Sequence, residues 1–78
     1  MDFDAELDAR HLSCPVPILC AKQAMSQLKD GDVLKVIADD ERAPADFAAF
    51  SRQSGHELLL AENEGAAFVF YLRRKKTF

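Results

Sequence analysis

The sequence predicts an α/β fold of the α+β kind. Its expected form is a two-layer sandwich in the order β-α-β-α-β-β, with two helices on one face of a mixed four-stranded sheet. Three observations lead there. Short alternating or β-branched runs recur at residues 5–9, 33–38, 57–62 and 67–73. Two intervening segments carry apolar residues at three- and four-residue steps. Both of those segments open on proline, at Pro15 and Pro44, and proline is tolerated best in the first turn of a helix, where its missing N–H has no partner to lose.

The first run, Ala5 to Ala9, alternates apolar with charged residues and reads as a half-buried strand with Leu7 facing inward. From Pro15 the apolar stripe is Ile18, Ala21, Met25 and Leu28, opposite Lys22, Gln23, Ser26 and Lys29. Asp30-Gly31-Asp32 is expected to end that helix, with Gly31 in a left-handed cap. Val33 to Ala38 (VLKVIA) is a central strand, followed by the charged loop Asp39-Asp40-Glu41-Arg42. The second helix begins near Pro44, carries Asp46 in its first turn where the dipole favours an acid, buries Phe47 and Phe50, and ends at Gly55. Glu57 to Glu62, the tight turn Asn63-Glu64-Gly65, and Ala67 to Arg73 form a hairpin. A helix joins the first two strands, so they run parallel with a right-handed crossover. The loop before Cys14 and the loop from Asp39 to Ala43 then share one rim of the sheet.

The chain is organised around Ser13-Cys14-Pro15-Val16-Pro17. With Pro15 at the first helical position, Cys14 becomes the N-cap. The prolines leave the N–H groups of Val16 and Ile18 free to face an anion. A helix N-terminus carries roughly half a positive charge, which favours thiolate over thiol. Arg10 would act in the same direction, whereas Asp39, Asp40 and Glu41 would oppose it if close. The expected balance is a mildly depressed thiol pKa, because the helix terminus is fixed beside the sulfur and the carboxylates are screened by water. The plain alternative is a small buried apolar cysteine.

Composition narrows the functional classes. At 78 residues, with 49 % hydrophobic and 29 % charged residues, the chain is expected to form a single domain over 1–78 with an ordered core from about 5 to 74. A net charge of −3 argues against a general nucleic-acid binder. No apolar run nears the roughly 20 residues that span a bilayer, and the acidic start (Asp2, Asp4, Glu6, Asp8) is unlike a secretory leader. The expected setting is cytoplasmic, as a monomer. Cys14 and Cys20 lie about 9 Å apart along one helix, too far to bridge. Their spacing with His11 and His56 fits no zinc-finger pattern, so neither metal nor cofactor is expected.

The stretch Leu7-Asp8-Ala9-Arg10-His11-Leu12-Ser13-Cys14-Pro15-Val16-Pro17 resembles the signature of the TusA/SirA family of small sulfur carriers, whose mark is Cys-Pro-X-Pro. The likeness extends through Ile37-Ala38-Asp39-Asp40, Asp46, Phe50 and Ser54-Gly55-His56-Glu57-Leu58-Leu59. The chain departs from the pattern at His11, where many members have glycine, and at Glu41-Arg42-Ala43-Pro44, which lacks the proline that often follows the acidic pair. The resemblance implies a carrier that holds sulfane sulfur as a persulfide on Cys14. Its donor would be a cysteine desulfurase or a rhodanese-like protein, and its acceptor a downstream protein on routes such as tRNA thiolation, molybdenum-cofactor assembly or sulfur oxidation.

In that reading Pro15 and Pro17 fix the helix start, and Arg10, His11, Asp39 and Asp40 are neighbours of the site. The basic run Arg73-Arg74-Lys75-Lys76 is a candidate docking face for donor or acceptor. Cys20 and Met25 are core filling, and His56 is structural. The rival readings are a regulatory or protein-interaction module of the same fold, and an RNA-binding domain using the basic C-terminus.

Overall fold

The alternation in VLKVIA does what alternation does in a strand: Leu34, Val36 and Ala38 are fully buried, and Val33, Lys35 and Ile37 are half-buried on the opposite face. Around this strand the computed structural model, which describes residues 1–75, builds the expected architecture. The elements are β1 (Ala5–Ala9), α1 (Val16–Ser26), β2 (Val33–Ala38), α2 (Ala43–Ser54), β3 (Glu57–Glu64) and β4 (Ala67–Arg73). The sheet order is β1-β2-β4-β3. β1 pairs with β2 in parallel, Ala5 opposite Leu34 and Ala9 opposite Ala38. β4 runs antiparallel to both of its neighbours.

Both helices lie against one face of the sheet. Their buried residues, Ala21 and Met25 of α1 with Ala43, Phe47 and Phe50 of α2, join Leu34, Val36, Phe70 and Leu72 in one core cluster. Phe47 stacks on Phe70 with ring centroids 4.7 Å apart, and it meets Phe50 edge-on at 6.3 Å. No polar or charged residue is buried among those described. On the other face Phe3 leans on Tyr71 at 6.4 Å, and the Lys35 ammonium lies 5.2 Å from its ring centroid.

Three boundaries differ from expectation. α1 starts one residue later, with Pro15 as N-cap and Pro17 in the first turn. It also ends early, at Ser26: the Gln27 and Leu28 N–H groups bond to the carbonyls of Ala24 and Met25, a tightened last turn. Leu28 still packs on the core, which is why the stripe overran the helix. Gly31 does hold a positive φ of 90°, but in the turn Lys29–Asp32, closed by Asp32 N–H to Lys29 O at 3.0 Å. β3 runs on to Glu64, placing the hairpin turn at Gly65-Ala66. α2 ends as expected at Gly55, whose φ of 83° forms a left-handed cap that any side chain would strain.

The end of α1 depends on the chain's far end. α1 has no basic residue in its own last turn, and unpaired terminal carbonyls need partners. Arg74 supplies them: one guanidinium nitrogen donates to Met25 O at 2.9 Å and also to Leu28 O. Its backbone is tied to the same corner, Arg74 N–H to Asp32 O and Gly31 N–H to Arg74 O, both at 2.8 Å. Arg74→Ala is therefore expected to lower stability by about 1–3 kcal/mol, the usual loss for hydrogen bonds made by a charged group. Urea unfolding measures it. A change within error of wild type would mean that water satisfies those carbonyls equally well.

Candidate functional site

Cys14 sits in the loop between β1 and α1, at the rim where the parallel strands β1 and β2 both end. The loop turns back after Ala9, with Leu12 N–H bonded to Ala9 O at 3.3 Å, and His11 adopts a left-handed φ of 70°. That conformation explains why glycine suits this position in the family pattern: His11 occupies a region that residues with a side chain visit at a cost. The neighbouring loop after β2 holds the turn in place. Asp39 Oδ1 accepts the His11 N–H at 3.0 Å, and Asp40 Oδ2 accepts the Cys14 N–H at 2.9 Å. The shared rim expected from the parallel crossover is thus formed by hydrogen bonds, and Asp39 and Asp40 are its two anchors.

Asp40 is the more deeply set. Its side chain is only 10 % exposed. Besides the Cys14 amide it accepts the Arg42 backbone N–H at 2.9 Å and two guanidinium bonds from Arg42 at 3.1 and 3.0 Å. These donors hold the Asp40 carboxyl far below the ordinary carboxylate range, with the Arg42 side chain as the first cause. The stability this contributes is present above an unfolded aspartate's pKa and is lost as pH falls below it.

The helix start differs from the expected geometry. Cys14 is not the N-cap of α1 but the residue before it, and the Cys14–Pro15 peptide is cis. The Val16 N–H is not free to face an anion; it bonds to Ser13 O at 2.9 Å. α1 has no acid in its first turn and no side-chain cap.

The electrostatics at the sulfur also reverse the expectation. The Cys14 thiol pKa is raised, not depressed. The first cause is the side chain of Asp46; partial burial comes next, then the charge of the same carboxylate, with Asp40 adding a smaller push. Arg42 pulls the other way but is outweighed. The expectation failed because it treated the acidic loop as distant and screened and left out Asp46, whereas Asp40 is largely enclosed and Asp46 of α2 adds to the rise.

The other predicted neighbours divide. Arg10 does not serve the sulfur: it closes on Asp8 with guanidinium bonds of 3.0 and 2.8 Å, and this drives the Asp8 carboxyl down to about 2. The His11 ring is 92 % exposed, with Nδ1 3.8 Å from Asp39. Cys20 is half-buried on α1, and both thiols are free. His56 lies on the far side of the fold, its Nδ1 accepting the Lys75 N–H at 3.1 Å and its ring 5.8 Å from Phe50. Burial and then the Arg74 charge push its pKa down. Among the described residues no group of three or more His, Cys, Asp or Glu could hold a metal ion.

The basic run is tied into the fold rather than presented at the Cys14 rim. β4 ends with Arg73 opposite Val33, the first residue of β2, whereas Cys14 lies beyond its last. Arg73 pairs with Glu57, Lys75 lies 3.6 Å from the same carboxylate, and Arg74 caps α1. These three lie at the rim opposite the sulfur; Lys76 lies outside the described residues.

Sequence reading missed three features of the site. Asp46 and Arg42, four residues apart at the head of α2, both bear on the sulfur. The third is apolar: Val16 is 39 % and Leu19 55 % exposed on the first turns of α1. Their signal was present, since both fall off the Ile18-Ala21-Met25-Leu28 stripe and stand three residues apart on one side. The arrangement is a half-buried cysteine just before a helix start, with an exposed apolar pair on the first turns of that helix and the charges of two carboxylates and one guanidinium acting on the thiol. No helix among the described residues is long and apolar enough to cross a membrane.

Comparison with known proteins agrees with this fold. A SirA-like protein from Desulfitobacterium hafniense has a solved structure that superposes with a TM-score of 0.80 at 20 % identity, covering 94 % of this chain and 100 % of that one; the likeness is one of fold. Sulfur carrier protein TusA of Allochromatium vinosum is 47 % identical over 73 residues, covering 94 % of this chain and 96 % of its own. Sulfur carrier protein TusA of Pseudomonas putida GB-1 is 39 % identical over 72 residues, covering 92 % and 90 %. The family model described as sulfurtransferase TusA matches residues 5–74, and the chain belongs to that family.

Proposed function

We propose that the protein is a cytoplasmic sulfur carrier that holds sulfane sulfur as a persulfide on Cys14. The observation that carries this reading is the Cys-Pro-X-Pro start of α1, set at an accessible rim in a chain similar along nearly its whole length to named sulfur carriers. Loading is a thiol exchange. The Cys14 sulfur, as thiolate, attacks the outer sulfur of a donor persulfide; a new S–S bond forms, the donor's S–S bond breaks, and the donor leaves as a thiolate that takes up the proton. Delivery repeats the step, with Cys14 as the leaving group and an acceptor thiolate as the nucleophile. Neither step is a net oxidation.

Val16 and Leu19 give both partners an apolar contact beside the sulfur. Pro15 and Pro17 fix the start of α1, and Asp40 fixes the Cys14 backbone, so the sulfur is presented in one place. The donor is a persulfide-forming protein such as a cysteine desulfurase or a rhodanese-like protein. The acceptor is a downstream thiol protein, with tRNA thiolation as the end use.

Incubation with a cysteine desulfurase and cysteine is expected to add the mass of one sulfur atom, removable by a reductant. No added sulfur would leave the fold as a non-catalytic interaction module.

A further inference from the structure

An open groove of about 330 Å³ lies between the C-terminal halves of α1 and α2, at the rim opposite Cys14. Small-ligand sites run from roughly 300 to 1,000 Å³ and join a mostly apolar wall to a few convergent polar groups. This groove has both. Its apolar wall is Met25 of α1 and Phe50 of α2, which are 2 % and 5 % exposed. Its polar wall carries charge of one sign: Lys22 and Arg74 are cationic, His56 adds an imidazole, and none of the described residues lining it is acidic. That is notable in a chain with a net charge of −3.

The hydrogen bonds of the wall leave positive charge and donors in hand. The Arg74 guanidinium spends its bonds on neutral carbonyls, Met25 O at 2.9 Å and Leu28 O. Its Nε is enclosed and makes no hydrogen bond among the described residues; the exposed Asp30 carboxylate stands 3.6 Å from it. Such a pair neutralises little of the charge. His56 Nδ1 accepts the Lys75 N–H at 3.1 Å, so the ring proton sits on Nε2 and makes that nitrogen a donor. Ser26 and Ser54 donate their hydroxyl protons to Gln23 O and Phe50 O, both at 2.6 Å. The remaining donors of the wall are therefore Lys22, His56 and Arg74. Lys22 takes part in no hydrogen bond or ion pair among the described residues, so the fold makes no visible use of its ammonium.

We infer that this groove is a binding site for a small organic anion, whose apolar body rests on Met25 and Phe50 and whose carboxylate or phosphate meets Lys22, His56 and Arg74. Its volume, at the low end of the range for ligand sites, suits a single ring system rather than a length of peptide. The site is separate from Cys14, and the inference goes beyond the carrier reading without resting on it.

The test is a ¹H–¹⁵N NMR titration of the full chain with phenyl phosphate, beside benzylamine and benzyl alcohol, which keep the ring and lack the negative charge. Phenyl phosphate is expected to give saturable shifts at the amides of Met25, Ser26, Ser54 and His56. The two uncharged or cationic probes should bind about tenfold more weakly or less, since they forgo charge-assisted hydrogen bonds. Lys22→Gln, which removes no contact of the fold, should weaken phenyl phosphate about two- to fivefold, the usual range for one exposed charge pair. Lys35→Gln removes the same charge on the opposite face of the sheet and should bind as wild type does. Shifts that do not saturate, shifts confined to residues outside the groove, equal binding of benzylamine, or an unchanged affinity in Lys22→Gln would each overturn the inference. None of these readouts involves sulfur, so failure here leaves the carrier role standing, and failed loading of Cys14 leaves this site standing.

Discussion

Replacing Cys14 by serine yields a folded protein that accepts no sulfur. The substitution exchanges one small side chain for another at a half-buried loop position. It keeps the backbone N–H that bonds to Asp40 at 2.9 Å. The core cluster contains neither cysteine, so the urea midpoint should stay close to wild type. The chemistry is removed outright, because an alcohol oxygen forms no persulfide under these conditions. In a loading assay the added-sulfur species should fall to background, while Cys20→Ser loads as wild type does. A Cys14→Ser protein that still took up sulfur at the wild-type level would remove Cys14 from the mechanism.

Replacing Phe47 by alanine has the largest expected effect on stability. Phe47 is fully buried, stacked on Phe70 of β4 and edge-on to Phe50, so it joins α2 to the centre of the sheet. Truncating such a residue removes its transfer free energy and leaves a cavity, at a cost of about 3–5 kcal/mol. The total stability of a domain this small is roughly 4–12 kcal/mol at the usual 0.05–0.15 kcal/mol per residue. The variant should therefore lose about a quarter or more of that stability, a large fall in urea midpoint that titration followed by circular dichroism would report. A loss below about 1 kcal/mol would mean that the sheet and helix close over the gap, contrary to the packing described.

The strands were legible where burial alternates. β2 shows the pattern at full strength, and β1 shows it between a buried and a charged face. The limits of α2 were legible too, because Pro44, Asp46 and Gly55 each answer a local backbone demand. The features that were misread depend on contacts between segments distant in sequence. Cys14-Pro15 fits a helix start equally well with proline as the first helical residue or as the cap, since the missing N–H is tolerated at either place; the bond from Val16 N–H to Ser13 O decides it. The end of β3, Glu62-Asn63-Glu64, is polar and exposed on an edge strand, so it carries no alternation to read. A bulge between Leu58 and Leu60 further breaks its register.

The Cys-Pro-X-Pro signature marked the proposed sulfur-bearing position but not its electrostatics. Asp46 looked like a helix-dipole acid serving its own helix, and nothing local announced that it also bears on the thiol of another segment. Arg74 gave the same kind of lesson. Arg74, read only as part of a basic docking run, also closes the end of a helix nearly fifty residues earlier in the chain, as its bond to Met25 O records.

The most direct test of the account is to load the wild-type protein with radiolabelled sulfur from a cysteine desulfurase, map the label by peptide, and then add an acceptor thiol protein. The account predicts label on the Cys14 peptide alone and its passage to the acceptor. Label on the Cys20 peptide, or label that stays on the protein when the acceptor arrives, would contradict it.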